Sequence, residues 1–509
     1  MKSELHKYPF LSAILLFAAL VTLALPACQD EKISSNPNHR LSFSLDTLSF
    51  DTVFTTVGSA TSRIMVYNRN KRALNIEYIG LKQKRNSSFR LNVDGRIDAE
   101  QQFHNVEIGA NDSLYIFAEV TVDPTNVNSP VLIEDILSFR TNGIEQKIIF
   151  QAFGQDMELI KGNKHILNDT VLSAERPYLI TGILSVEQGK TLTIPAGSKL
   201  YFHNNSYLIA LGNISVEGTR ENPVLMRGDR LDKIMLDTPI PYNYVAGQWG
   251  GIHLYAEEGE HLFNHVTINS GDVGIYLRNE NKNKRPKITV SNCRIHNSRI
   301  YGLLLMNADA EVINTEISNS SMQTVYLDGG SHTFIHCTIA NYFNSGNANI
   351  QSESRSSDYP AVTIMDLTHS APMNSTFLNC IISGNQENEF SLVTRFPEQY
   401  RGVFKNSYIR RSKPIETDQF ESIRWYDKGD TLFVNTTADY IENNYYNFQL
   451  DSVSPARNIA DMEIAKKYPL DMNGVNRIAN GTPDAGAYQW TPTINKQEQA
   501  AVYSGHKPY

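Results

Sequence analysis

Between Phe263 and Ile382 one six-residue pattern is written five times: FNHVTI (263–268), VSNCRI (290–295), VINTEI (312–317), FIHCTI (334–339) and FLNCII (377–382). Ile295, Ile317 and Ile339 stand 22 residues apart, and Asn297, Asn319 and Asn341 follow them in step. A second apolar run trails each copy: Gly274-Ile275-Tyr276-Leu277, Gly302-Leu303-Leu304-Leu305, Thr324-Val325-Tyr326-Leu327 and Ala361-Val362-Thr363-Ile364. A fixed period of this length means stacked supersecondary units. The runs are short, β-rich and broken by Asn, Ser and Gly, with no 3.6-residue periodicity. One coil holding two or three short strands is a rung of a parallel β-helix, and rungs stack about 4.8 Å apart. Ile275, Leu277, Leu303, Leu305, Val325, Leu327, Val362 and Ile364 are expected to face inward. The Asn297, Asn319, Asn341 column suits tight corners, because Asn tolerates a left-handed backbone.

These columns resemble the right-handed parallel β-helix proteins of the pectate-lyase-like superfamily, over roughly residues 156–490. The resemblance implies a fold; one fold hosts many activities. The expected fold class is all-β, a right-handed parallel β-helix preceded by a small antiparallel β-sandwich. That sandwich is read over residues 41–155, where strands alternate without the 22-residue period, as in Ile64-Met65-Val66-Tyr67 and Leu114-Tyr115-Ile116. Thr141-Asn142-Gly143 marks a hairpin within it. It resembles the immunoglobulin-like modules found ahead of bacterial β-helices.

Outward from the repeat, Gly189 to Gly197 and Leu200-Tyr201-Phe202 read as first rungs that cover the open end of the core. Arg227 to Tyr244 is a flanking loop, and Phe343 to Tyr359 is an insertion rich in Asn and Ser. After Ile382 the repeat fades. Leu450 to Trp490, with Pro483-Asp484-Ala485-Gly486-Ala487-Tyr488, is expected to close the coil, Tyr488 buried and Asp484 in a structural turn. Residues 491–509 form a polar tail.

At the other end, Lys2 and Lys7 precede an apolar run from Phe10 to Leu25, too short for a membrane span. It ends Leu25-Pro26-Ala27-Cys28, which resembles a bacterial lipobox and makes 1–27 a signal peptide, Cys28 the lipidated residue and 28–40 a tether. The alternative is a plain secretory signal cut near Ala27. Pro26 departs from the small residue usual there. Gln29-Asp30-Glu31-Lys32 resembles the export signals of surface lipoproteins in glycan-foraging Gram-negative bacteria, so the expected address is the outer membrane, at the cell surface or facing the periplasm. Six Asp-Ser/Thr-aliphatic triplets, Asp46-Thr47-Leu48 and Asp112-Ser113-Leu114 among them, resemble the O-glycosylation triplet of exported proteins and agree with that address.

A net charge of −8 and a pI near 5.9 argue against nucleic acid as a partner. Cys293, Cys337 and Cys380 share one inward column and are read as buried thiols acting as small hydrophobes; Cys337 and Cys380 fall on neighbouring rungs, which leaves a disulfide between them as the alternative. No metal or phosphate motif and no cofactor signature is present. His265, Asn292, Asn314, His336 and Asn379 form a polar column read as a corner ladder rather than a metal site, and Glu257, Glu258 and Glu260 as a solvated loop.

Lyases of the resembled fold hold calcium with clustered carboxylates and use Arg or Lys as base; its hydrolases use aspartates on adjacent rungs. The outward repeat positions here read Tyr276 and Arg278, Leu304 and Met306, Tyr326 and Asp328, Thr363 and Met365. They hold no pair of carboxylates. The favoured function is therefore a lipid-anchored binding or scaffold protein for glycans, with Tyr276, Arg278, Tyr326 and Asp328 as the binding residues. The rivals are a polysaccharide lyase or glycoside hydrolase, and an adhesin-like spacer.

Overall fold

The structure is a computed structural model. It describes residues 32–234, 240–281, 283–343, 359–366, 372–438, 445–479 and 481–492. Cys28, the segment before it, most of the 343–359 insertion and most of the tail lie outside the described residues. Two compact units emerge: the described residues of Met1–Thr125 with Pro130–Gln155, and those of Asn126–Ser129 with Asp156–Tyr509.

The first unit holds two five-stranded sheets. Ser113–Val120 alternates buried and exposed residues, so Leu114, Ile116 and Ala118 enter one shared core with Phe89, Phe139 and Phe150. Val131–Thr141 and Ile144–Gln155 pair antiparallel around Asn142-Gly143, both with positive φ, as a two-residue hairpin requires. One pairing departs from the antiparallel pattern: Thr47–Phe54 runs parallel to Ile144–Gln155.

The second unit is a parallel coil with three faces, of nine, ten and eleven strands. On the first face the strands used below are β1 (Tyr207–Ala210), β2 (Gly251–Leu254), β3 (Val273–Arg278), β4 (Tyr301–Met306), β5 (Val325–Asp328), β6 (Val362–Asp366) and β7 (Phe390–Thr394). Register follows the sequence columns. Phe263 pairs with Val290, Val290 with Val312, Val312 with Phe334 and Phe334 with Phe377 on the second face. Ile268, Ile295, Ile317, Ile339 and Ile382 do the same on the third. All ten are buried, as are the eight aliphatics expected to face inward from β3 to β6. Burying each such side chain stabilises the fold by about 1.5–3 kcal/mol. The coil does not end at Ile382. Phe377, Phe404 and Phe420 stack at 5.3 and 4.5 Å, and the third face continues to Arg424–Trp425.

Between the second and third faces the chain turns through a single left-handed residue: His265, Asn292, Asn314, His336, Asn379 and Asn406, with φ between 47° and 55°. These side chains bond along the column. Asn314 Nδ2 donates to Asn292 Oδ1 at 3.5 Å, and Asn379 Nδ2 to His336 Nε2 at 3.0 Å. The other asparagine column divides. Asn297 and Asn319 are left-handed corners, but Asn341 ends a strand and bonds the carbonyls of Ser320 and Met322. It lies where the insertion begins, so its corner is not the repeat's. The thiols of Cys293, Cys337 and Cys380 are buried and free; burial pushes that of Cys293 up to about 12.

The third face is covered by the chain itself. Tyr244 and Tyr445 stack at 4.5 Å beside Ile240, and Asn243 accepts from Ser270 and Asn297. Further along, Tyr488 Oη donates to Glu316 Oε2 at 2.5 Å, Ala487 N to Thr338 Oγ1 and Arg477 Nη2 to Asn314 Oδ1. Tyr488 is buried as expected, but against the middle of a lateral face. Leu450 to Trp490 is thus a strap over that face. Asp484 serves the strap, accepting from the backbone of Asn458 and Trp490 and from Gln489.

Candidate functional site

With the third face covered, two outer faces remain. The second presents Leu262, Thr289, Glu311, Thr333, Thr376 and Val403 in one column, a mixed surface of half-buried threonines and exposed residues. The first face differs in kind. Its central outward column reads His253, Tyr276, Leu304, Tyr326 and Thr363 from β2 to β6. Two residues on, the column reads Tyr255, Arg278, Met306, Asp328 and Met365. Strand alternation alone puts these side chains outside, since Ile275, Leu303 and Val325 between them point in.

The rings form a band of two clusters with Leu304 between them. Tyr207 meets His253 edge-on at 5.4 Å, His253 meets Tyr276 at 5.4 Å, and Tyr276 meets Tyr255 at 5.9 Å. Across Leu304, Tyr301 and Tyr326 are 5.8 Å apart. Each contact of this type is worth about 0.5–1.5 kcal/mol, and together they fix the rings without covering them. Tyr207, Tyr276, Tyr301 and Tyr326 are half-buried, and Tyr255 is 37% exposed. A side chain at position 250 would strike the Tyr207 ring, so Gly250 is required for this packing.

Hydrogen bonds set the tips. His253 Nε2 donates to the Gly250 carbonyl at 3.1 Å, which leaves Nδ1 to accept from Tyr255 Oη at 3.1 Å. Burial holds the His253 imidazole below its ordinary pKa, so it stands neutral. Burial likewise raises Tyr255, Tyr301 and Tyr326, which stay protonated as O–H donors. Tyr326 Oη donates to Met365 Sδ at 2.8 Å.

Tyr276 and Tyr326 stand in one column as expected, on either side of Leu304. Arg278 and Asp328 share the next column but are separated by Met306, so they do not act on one point. Arg278 is bonded to Tyr276 and ion-paired with Glu280 at 2.6 Å. Asp328 is buried beside Tyr326. Tyr207, His253, Tyr255 and Tyr301 escaped the sequence reading. Extending the Tyr276 column one rung upstream would have found His253. Among the described residues no group of three His, Cys, Asp or Glu is placed to hold a metal. His265 and His336 occupy corners, while His261 and His332 face the interior of the coil.

Two family profiles match the coil: "Pectate-lyase like beta helix domain" over residues 164–275 and "Right handed beta helix region" over 250–447. Among curated proteins, the chain is 30% identical over 125 residues to "Protein bark beetle" of Drosophila melanogaster, a match covering 23% of this chain and 4% of that protein. Among solved structures it is similar to a PapD-like domain of human CEP192, with 10% identity, TM-score 0.16, and coverage of 25% of this chain and 92% of that one. It is also similar to a family 123 glycoside hydrolase from Clostridium perfringens, with 10% identity, TM-score 0.16, and coverage of 24% and 26%.

Proposed function

We propose, from the premise that residues 164–447 match pectate-lyase-like and right-handed β-helix family profiles, that this chain binds polysaccharide on the outer first face of its coil without cleaving it. The observation that carries this reading is the aromatic band from Tyr207 to Tyr326. Rigid rings offer flat apolar surfaces to the C–H faces of sugars and lose little side-chain entropy on binding. Their hydroxyl oxygens can accept hydrogen bonds from sugar hydroxyls.

The binding reading is favoured over hydrolysis or elimination by the make-up of the same columns. Their ten outward positions on β2 to β6 and the residue after β2 include one carboxylate, Asp328, and one arginine, Arg278, both committed to neighbours. A glycosidase needs two carboxyl groups facing one bond. We further propose that Cys28 carries the lipid that holds the protein at the outer membrane, where several acyl chains on one residue give lasting anchorage.

Two measurements test this. A glycan array probed with the purified chain should give binding without a change in the length of the bound glycan; shortened products would make the protein an enzyme. In cells, Cys28→Ala should release the protein from the membrane fraction or leave it unprocessed. A Cys28→Ala protein that still partitions with detergent would refute the anchor.

A further inference from the structure

We propose that the ligand of the aromatic face is an extended neutral polysaccharide, not a polyuronate; this rests on the glycan-binding reading above. Carboxylate-bearing sugars are held by cations free to present a fork or an ammonium to each acid group. The columns of the band contain one cation, Arg278, and its Nη2 already lies 2.6 Å from Glu280 Oε1. At the start of β4, Arg299 Nε donates to Asp272 Oδ1 at 2.6 Å. His253 has both ring nitrogens engaged. Along the same face the next described cations lie two strands off either end of the band: Lys164 on the first strand of the sheet, and Arg395 past the end of β7, which stacks on Phe396.

The remaining charge inside the columns is negative. It belongs to Asp328, which is buried beside Tyr326 and engaged with a neighbour. What the face does offer is uncharged: ring faces, tyrosine hydroxyls, Leu304 and the thioethers of Met306 and Met365. The rings span β1 to β5, four strand spacings or about 19 Å along the coil. That matches an extended run of about four sugar units, each advancing about one strand spacing.

Glu280 provides the probe, because an exposed pair contributes little to stability and its removal frees Arg278. The full chain is run through native gels containing neutral β-glucan, mannan or xylan, and through gels containing polygalacturonate, at low and high salt. At least one neutral polymer should retard the protein, with retention changing less than about twofold between the salts. Polygalacturonate should not retard it, whereas Glu280→Gln should acquire a retardation by polygalacturonate that high salt removes. If Glu280→Gln gains nothing while a neutral polymer still retards the protein, acids are turned away by the scarcity of cations on the face rather than by the ion pair, and the neutral assignment stands. If the unmodified protein is retarded by polygalacturonate, and Tyr276→Ala with Tyr326→Ala abolishes this, the face is right and its neutrality wrong. If no gel retards it, the reading of the face as a glycan site fails and takes this inference with it.

Discussion

Glu316 and Tyr488, 172 residues apart in sequence, meet at 2.5 Å beneath the strap, and Arg294 closes on the same carboxylate at 3.1 Å. The pair Arg294–Glu316 is almost wholly buried, with side-chain exposures of 7% and 0%. Such a pair is weak evidence of net stabilisation, but breaking it strands a buried charge. Glu316→Ala should therefore cost about 3–5 kcal/mol, read as a lower denaturant midpoint of the coil. Tyr488→Phe removes one charge-assisted bond and should cost about 1.5–3 kcal/mol. Equal midpoints for Glu316→Ala and the unmodified protein would mean that the strap does not seal this site in solution.

The inside–outside assignment is tested by neighbours. Leu305 is fully buried and pairs with Leu277 and Leu327; Met306, next in sequence, is half-buried on the outside. Leu305→Asp buries an unpaired carboxylate and should cost several kcal/mol, of the order of 4 or more. Met306→Asp should cost under about 1 kcal/mol. Melting temperatures that fall together would place the register one residue off.

Four buried histidines set a pH dependence, since burial holds His296 and His336 well below the ordinary value as well as His261 and His332. Burial lowers His261 to about 4 and His332 to about 3. All four pKa values are depressed relative to the unfolded chain, so below about pH 6.5 the unfolded state takes up protons that the folded state refuses. Stability is fully present above that pH and should fall as the pH drops toward 4, by about 1.4 kcal/mol per pH unit for each residue. His261→Leu removes one of these four contributions and should flatten that slope by about a quarter in urea titrations between pH 6 and 4. An unchanged slope would show that the ring is hydrated.

The coil was legible because each rung repeats the same inward chemistry in the same column, and register is a property of local spacing. Asn292, Asn314 and Asn379 were readable as corners for the same reason. Asn341 misled because it keeps the spacing while the insertion after it removes the turn. The last coils read only as a fading repeat because Phe404 and Phe420 stack without the surrounding motif. The strap was legible only as something that closes, since Tyr488 finds Glu316 through a contact no period encodes. Of the aromatic band, Tyr276 and Tyr326 fell inside the repeat. Tyr207 and Tyr255 belong to rungs separated by the Arg227 to Tyr244 loop, and Tyr301 stands at the start of its strand, outside the aligned column.

The central claim is that the band of rings does the binding. Tyr276 pairs edge-on with His253 and Tyr255, and Tyr326 packs at a tilt against Tyr301, so removing both tyrosines takes a ring from each cluster. Both are half-buried on the outside, and Ile275, Leu277, Val325 and Leu327 beneath them keep the core. The decisive measurement is retention of the Tyr276→Ala, Tyr326→Ala protein on whichever glycan the unmodified chain binds, with its melting temperature taken in parallel. Loss of retention by at least about tenfold, which is 1.4 kcal/mol or more, with folding preserved, is the predicted result. Full retention by the folded double variant would contradict it.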